Sequence, residues 1–302
     1  MRLFTSRQFL GNSVLIVEKE EDLYMKKLFA LAASLVLGSA LVFAGCGSDK
    51  TANAGGSDKK EVTLTVGASP TPHAEILEQV KPILAKKGIN LKIVEFTDYV
   101  KPNIALNDKE LDANFFQHVP YMEKFAKEHN ENLVAVAKVH VEPMGVYSKT
   151  IKDKDLKNAV PDGAKVAVPN DPTNEGRALL LLQKAGLITL KDPKNLSSTP
   201  ADITSNPKHL QFVELDAAQL PRSLDDVALA VINTNYALEA KLNPLKDALV
   251  IEDKNSPYAN VLTVRAGDEN RPEIKELAAA LNSPEIKKFI EDKYQGAIVP
   301  AF

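Results

Sequence analysis

From Val62 onward the chain alternates short apolar segments of strand character with segments whose apolar residues recur every three or four positions, and this alternation constrains the fold most. Val62–Val66 alternates apolar and polar. Ile76, Leu77, Val80, Ile83 and Leu84 then fall on one helical face, stopped by Gly88. Strands are predicted over Leu91–Phe96, Leu111–Phe116, Leu133–Val139, Lys165–Val168, Gln211–Leu215, Val227–Ile232, Leu249–Ile251 and Val261–Val264. Helices are predicted over Asp98–Lys109, with Val100, Ile104 and Leu106 inward, and over Met122–Glu128, Arg177–Ala185 and Tyr236–Leu242. Leu133–Val139 is apolar enough to predict burial on both faces. Two helices broken by Asn282-Ser283-Pro284 close the chain. The fold class is α/β, and 302 residues are enough for two lobes with their own cores.

The amino-terminal part is different. Met25-Lys26-Lys27 is a short basic region, and Leu28–Val42 is apolar but too short for a comfortable membrane span. Ala44-Gly45 stands before Cys46, the only cysteine, with Phe43 where such sequences usually carry Leu. These residues resemble the lipobox of bacterial lipoproteins, which implies a signal peptide over 25–45, cleavage before Cys46 and lipid on its thiol. Residues 1–24 carry Glu18, Glu20, Glu21 and Asp22 ahead of the basic region, so Met25 is expected to be the initiator. Residues 46–61 read as a flexible tether with no apolar periodicity, and its stretch Gly47–Lys60 spans roughly 20 Å as a coil. A lone cysteine leaves stability to packing.

The net charge of −3, with Lys and Arg scattered, leaves no electrostatic footprint for nucleic acid. The chemistry concentrates in two stretches. Asp112–Tyr121 gathers Phe115, Phe116 and Tyr121 around Gln117 and His118 in a chain that is only 6% aromatic. It reads either as a core strand with a polar loop or as a pocket wall, with rings for an apolar group and Gln117 and His118 to orient it. The second is Val168-Pro169-Asn170-Asp171-Pro172-Thr173-Asn174-Glu175-Gly176-Arg177, a loop opening a helix, with Asp171 or Thr173 as N-cap. A helix start and a guanidinium suit a carboxylate ligand. The plainer alternative pairs Arg177 with Glu175 or a surface acid. Asn233 and Asn260 lie near strand ends, where a side-chain amide serves a zwitterion or simply caps a turn.

Pro72-His73-Ala74-Glu75-Ile76-Leu77, the block Asp112–Tyr121, Val168–Asn174 with Gly176-Arg177, Ala230-Val231-Ile232-Asn233, and Ser256-Pro257-Tyr258 with Asn260 together resemble the NlpA lipoprotein family, from Met25 to the end of the chain. The resemblance implies a two-lobed periplasmic-binding-protein-like fold (type II) with ligand in the inter-lobe cleft. Lobe 1 would comprise 62–143 plus 236–302, and lobe 2 144–235. It implies a monomer held at the cell envelope, outside the cytoplasm, by lipid on Cys46. This protein would bind L-methionine (with D-methionine or methionyl peptides as further ligands) and deliver it to an ABC permease with its ATPase subunits. Carried over, Tyr99, Phe116, His118 and Tyr121 would surround the thioether. Arg177 would hold the carboxylate, so that Arg177→Ala abolishes binding with the fold intact. Asn233 and Asn260 would hold the amino and carboxylate groups, with His140 and Asn174 near the cleft.

Two other classes compete with this reading. A zinc or manganese importer protein would use His73, His118 and His140, but no HxH or HxxxH spacing occurs. An enzyme would need a nucleophile or nucleotide motif. Ser69 in Gly-Ala-Ser-Pro is not in GxSxG form, and there is no P-loop or GxGxxG, so no catalysis and no cofactor are expected.

Overall fold

A computed structural model describes residues 62–302. The signal peptide, Met25, the tether and the lipidation of Cys46 lie outside the described residues.

The described chain builds two sheets. The first has the order β13 (Val299–Pro300), β4 (Leu133–Val141), β12 (Ala259–Arg265), β3 (Ala113–His118), β1 (Val62–Ala68), β2 (Ile89–Glu95). β1 pairs parallel with β2 and β3, and β12 runs antiparallel between β3 and β4. The second has the order β11 (Val250–Ile251), β5 (Gly145–Tyr147), β10 (Leu229–Ile232), β6 (Lys165–Pro169), β9 (Gln211–Leu215). A small ribbon pairs β7 (Thr189–Leu190) with β8 (Ile203–Ser205). The longer helices are α1 (Glu75–Ala85), α2 (Lys101–Asn107), α3 (Val119–His129), α4 (Pro172–Lys184), α5 (Thr234–Glu239), α6 (Pro272–Leu281) and α7 (Pro284–Tyr294).

Each sheet has its own core. Leu64, Val66, Leu77, Leu84, Leu262, Ile274 and Ile290 pack α1, α6 and α7 on the first. Val146, Val166, Leu179, Leu182 and Leu229 pack α4 on the second. Burying each such side chain is worth about 1.5–3 kcal/mol.

Three expectations are corrected. β4 is buried only over Val139–Val141, and Leu133–Ala137 stays half-buried. Its outer neighbour β13 is two residues long and covers only His140 and Val141, so the rest of β4 is a sheet edge. Val100 and Ile104 point outward, because α2 begins at Lys101 and its inner face carries Pro102, Asn103, Ala105 and Leu106. Periodicity counted from Asp98 is therefore out of phase. The chain enters the second sheet over 142–144 and returns over 252–258, not near Thr234–Asn235. After β10, α5 puts Tyr236 and Ala237 into the second lobe's packing, and β11 then pairs with β5.

One glycine is required by close approach. A Cβ on Gly176, in α4, would stand 2.4 Å from the Leu196 carbonyl oxygen and 2.9 Å from the Ser198 nitrogen. Backbone on both sides cannot yield as a flexible side chain can. Gly176→Ala is expected to cost about 2 kcal/mol by overpacking, despite alanine's better helix propensity. Chemical denaturation checks it, and a variant as stable as wild type would show that the 196–198 segment moves freely.

Candidate functional site

The two sheets face each other across a cleft of about 340 Å³, counting space open to solvent. Eight expected site residues line it: Tyr99, Phe116, His118 and Tyr121, together with Asn174, Arg177, Asn233 and Asn260. β3 carries Phe116 and His118, the start of α3 brings Tyr121, and β12 brings Asn260. The facing wall comes from α4 and from Asn233 at the end of β10. His140 does not line the cleft. It lies one layer behind, with Nε2 2.7 Å from Glu142.

The apolar end is a cluster of rings. Tyr99, Phe116 and Tyr121 stand about 6 Å apart, centroid to centroid, and Tyr121 stacks on Phe125 at 5.9 Å. Two hydroxyls brace the cluster, since Tyr121 Oη donates to the Tyr99 carbonyl (2.8 Å) and Tyr99 Oη to Asn235 Oδ1 (2.6 Å). His118 is a wall and not a free polar handle. Its Nδ1 accepts from the Tyr121 backbone N–H (3.1 Å), capping α3, and its Nε2 donates to Asn174 Oδ1 (3.2 Å). Burial, reinforced by nearby Arg177, lowers its pKa to about 3, so the ring is neutral. Gln117 also lines the cleft, but its amide is spent on Asn103, Asn114 and Thr263, where it holds β3 to α2 and β12.

The polar end forms around α4. The helix starts at Pro172 with Asp171 as N-cap, accepting from the Asn174 N–H at 2.9 Å, so this N–H is already used. Asp171 also holds the Asn174 amide, whose Oδ1 accepts from Asn233 Nδ2 at 2.9 Å. That leaves Asn233 Oδ1 buried with no partner. Arg177 sits one turn into α4 and pairs with neither Glu175 nor a surface acid. Its Nε and Nη2 grip Glu252 at 3.0 and 2.5 Å, and Nη2 also reaches the Glu142 carbonyl at 2.7 Å. Glu142 and Glu252 lie on the two crossovers, so one guanidinium ties both strands of the passage between the sheets. Tyr258 lies under it, with Cζ 4.1 Å from the ring centroid, and among the described residues Nη1 has no hydrogen-bond partner.

Glu142, Glu252 and Tyr258 were not assigned as site residues from the sequence. Glu142 sits in the unremarkable Val-Glu-Pro at the end of a strand, and nothing local marks it as facing a cleft. The metal alternative is rearranged too. Among the described residues, His73, His140 and Glu142 come close enough to share an ion, while His118 is not with them.

The family model described as NlpA lipoprotein matches residues 64–302. A curated relative from Bacillus subtilis, named methionine-binding lipoprotein MetQ, is 46% identical over 284 residues, covering 91% of this chain and 99% of that protein. Among solved structures, a nutrient binding protein from Burkholderia cenocepacia bound to methionine superposes with a TM-score of 0.76 at 49% identity. The match covers 79% of this chain and all of that one. A periplasmic substrate-binding protein of an ABC transporter from Coxiella burnetii gives 0.74 at 48% identity over the same shares. The fold is thus the two-lobed α/β substrate-binding fold expected above.

Proposed function

Because this chain belongs to the NlpA lipoprotein family, we propose that it is the substrate-binding lipoprotein of an ABC importer. In this reading it binds L-methionine between its lobes and hands it to a permease with its ATPase subunits. It works as a monomer outside the cytoplasm, anchored by lipid on Cys46, and catalyses nothing. The observation that carries the reading is one cleft with rings at one end and unspent zwitterion partners at the other.

The unspent atoms assign the roles. Asn260 Oδ1 is taken by His73, so its Nδ2 is left to donate to a carboxylate beside Arg177 Nη1. Asn233 Oδ1, buried and unpartnered, is left to accept from an ammonium, with Glu142 also on the cleft wall. The thioether tail then lies among Tyr99, Phe116 and Tyr121, where sulfur against rings adds to the hydrophobic term. Ligand bridging the two walls would favour the closed arrangement of the lobes, the form a permease could read.

Calorimetry with L-methionine, D-methionine, methionyl dipeptides, alanine and glutamate tests the reading. L-methionine is expected to bind best, and a lack of heat with it would refute the assignment. Phe116→Ala is expected to weaken methionine by roughly 30-fold, about 2 kcal/mol of lost ring and tail contact, with little effect on alanine. Equal losses for both ligands would place the tail elsewhere.

A further inference from the structure

Two buried histidines stand behind the cleft and touch no ligand in the roles above, where His73 only takes up Asn260 Oδ1. His73 and His140 are 1% and 0% exposed, with ring centroids 5.0 Å apart. Glu142 Oε1 lies 2.7 Å from His140 Nε2 and 3.3 Å from His73 Nε2, and His73 Nε2 is also 2.9 Å from Asn260 Oδ1. Both Nδ1 atoms are buried with no partner.

These orphaned nitrogens decide between an ion and a proton network. A metal held on the Nε2 atoms and Glu142 would leave each ring its proton on Nδ1. Ligating histidines normally pass that N–H to a carboxylate or carbonyl, and none is present at either ring. Two buried N–H groups without acceptors would result, which is among the rarest arrangements in proteins. Protons on Nε2 avoid this. The His140 N–H then donates to Glu142 Oε1 and the His73 N–H to Asn260 Oδ1, with Glu142 Oε1 3.3 Å from His73 Nε2, and only two lone pairs go unused. Burial keeps both imidazoles neutral, at about 4 for His73 and about 3 for His140, as such donors must be.

We propose that His73 and His140 are positioning residues, His140 fastening Glu142 Oε1 and His73, beside it, fastening Asn260 Oδ1, each as a neutral Nε2–H donor, leaving Glu142 Oε2 to accept the ammonium, so that the requirement for an α-amino group is set from outside the cleft. This rests on the amino-acid reading of the cleft. Burial pushes the Glu142 carboxyl up, while His73, Arg177 and the Asn235 backbone N–H pull it down. The His140 N–H and an arriving ammonium both favour the ionised form. His73 also takes up Asn260 Oδ1, which leaves the amide of Asn260 free to donate to the ligand.

The test compares L-methionine with 4-(methylsulfanyl)butanoate, the same molecule without its amino group. Wild type is expected to prefer methionine by about 100-fold, the usual worth of a buried charge-assisted hydrogen bond. His73→Leu/His140→Leu is expected to cut that preference below about tenfold by weakening methionine alone. His73→Gln/His140→Gln, which keeps an N–H near each Nε2, is expected to restore most of it. Equal weakening of both ligands in the leucine pair would reduce the histidines to packing and overturn the proposal. Ring ¹⁵N spectra of wild type give a second readout that does not depend on the leucine pair folding. They should show Nε2–H and bare Nδ1 on both rings, and Nδ1–H on either ring, or stoichiometric metal in the purified protein, would overturn it. A wild type that binds neither compound would refute the amino-acid reading itself and this inference with it.

Discussion

Replacing Arg177 with alanine is expected to weaken methionine binding by about a thousandfold or more, the loss typical when one partner of a desolvated charge pair is truncated. The same variant is expected to lower the stability of the fold, which the sequence alone did not foretell. Arg177 is 3% exposed at its side chain, and its partner Glu252 is 14% exposed on the return crossover. Removing the guanidinium strands that carboxylate and frees the Glu142 carbonyl on the other crossover. Breaking a pair this deep costs roughly 3 kcal/mol. Adding Glu252→Ala to Arg177→Ala should recover much of the stability and none of the affinity. Calorimetry and thermal melting of both variants separate the two effects. Undiminished affinity in Arg177→Ala would refute the carboxylate role, and an unshifted melting midpoint would refute the clamp on the crossovers.

A second large effect is expected from pH acting on His118. Its folded pKa is lowered to about 3, first by burial and then by Arg177. The unfolded chain binds a proton near pH 6.5, which the folded chain refuses until about pH 3. Stability attached to the neutral ring is therefore whole above pH 6.5 and drains away as pH falls, by about 1.4 kcal/mol per unit. Other groups oppose this trend: burial raises Glu142, Glu175 and Glu239, which favours the folded state at lower pH. A difference measurement removes them. Between pH 6.5 and 4.5, wild type is expected to lose about 2 kcal/mol relative to His118→Gln, which keeps a donor for Asn174 but does not titrate. Denaturation of both proteins across that range checks the slope. A constant difference would mean that the fold leaves the His118 pKa where the unfolded chain has it.

The two predictions differ in how much of each the sequence holds. His118 was legible because strand, rings and Pro120 fall within one decapeptide, and the fold keeps that stretch as strand, cap and helix. Arg177 was legible as a cation beside a helix start. Its real partner was not, since Glu252 lies 75 residues away. The same holds for the inner faces of α1, α6 and α7, which periodicity marks correctly, and for α2, where two exposed apolar residues put the pattern out of phase.

Taken by itself, the sequence determined the α/β order of elements, the family, and eight of the residues that line the cleft, because helix and strand periods and contiguous motifs are local properties of a chain. Only the tertiary structure decided that Glu142 faces the cleft with His73 and His140 behind it, that Arg177 binds both crossovers, and that the chain returns over 252–258. These depend on sheet register and strand order, which bring together residues as far apart as His73 and Asn260, 187 positions along the chain. No local pattern encodes a contact of that range. It follows from which strands pair, and the pairing is settled by burying two cores at once.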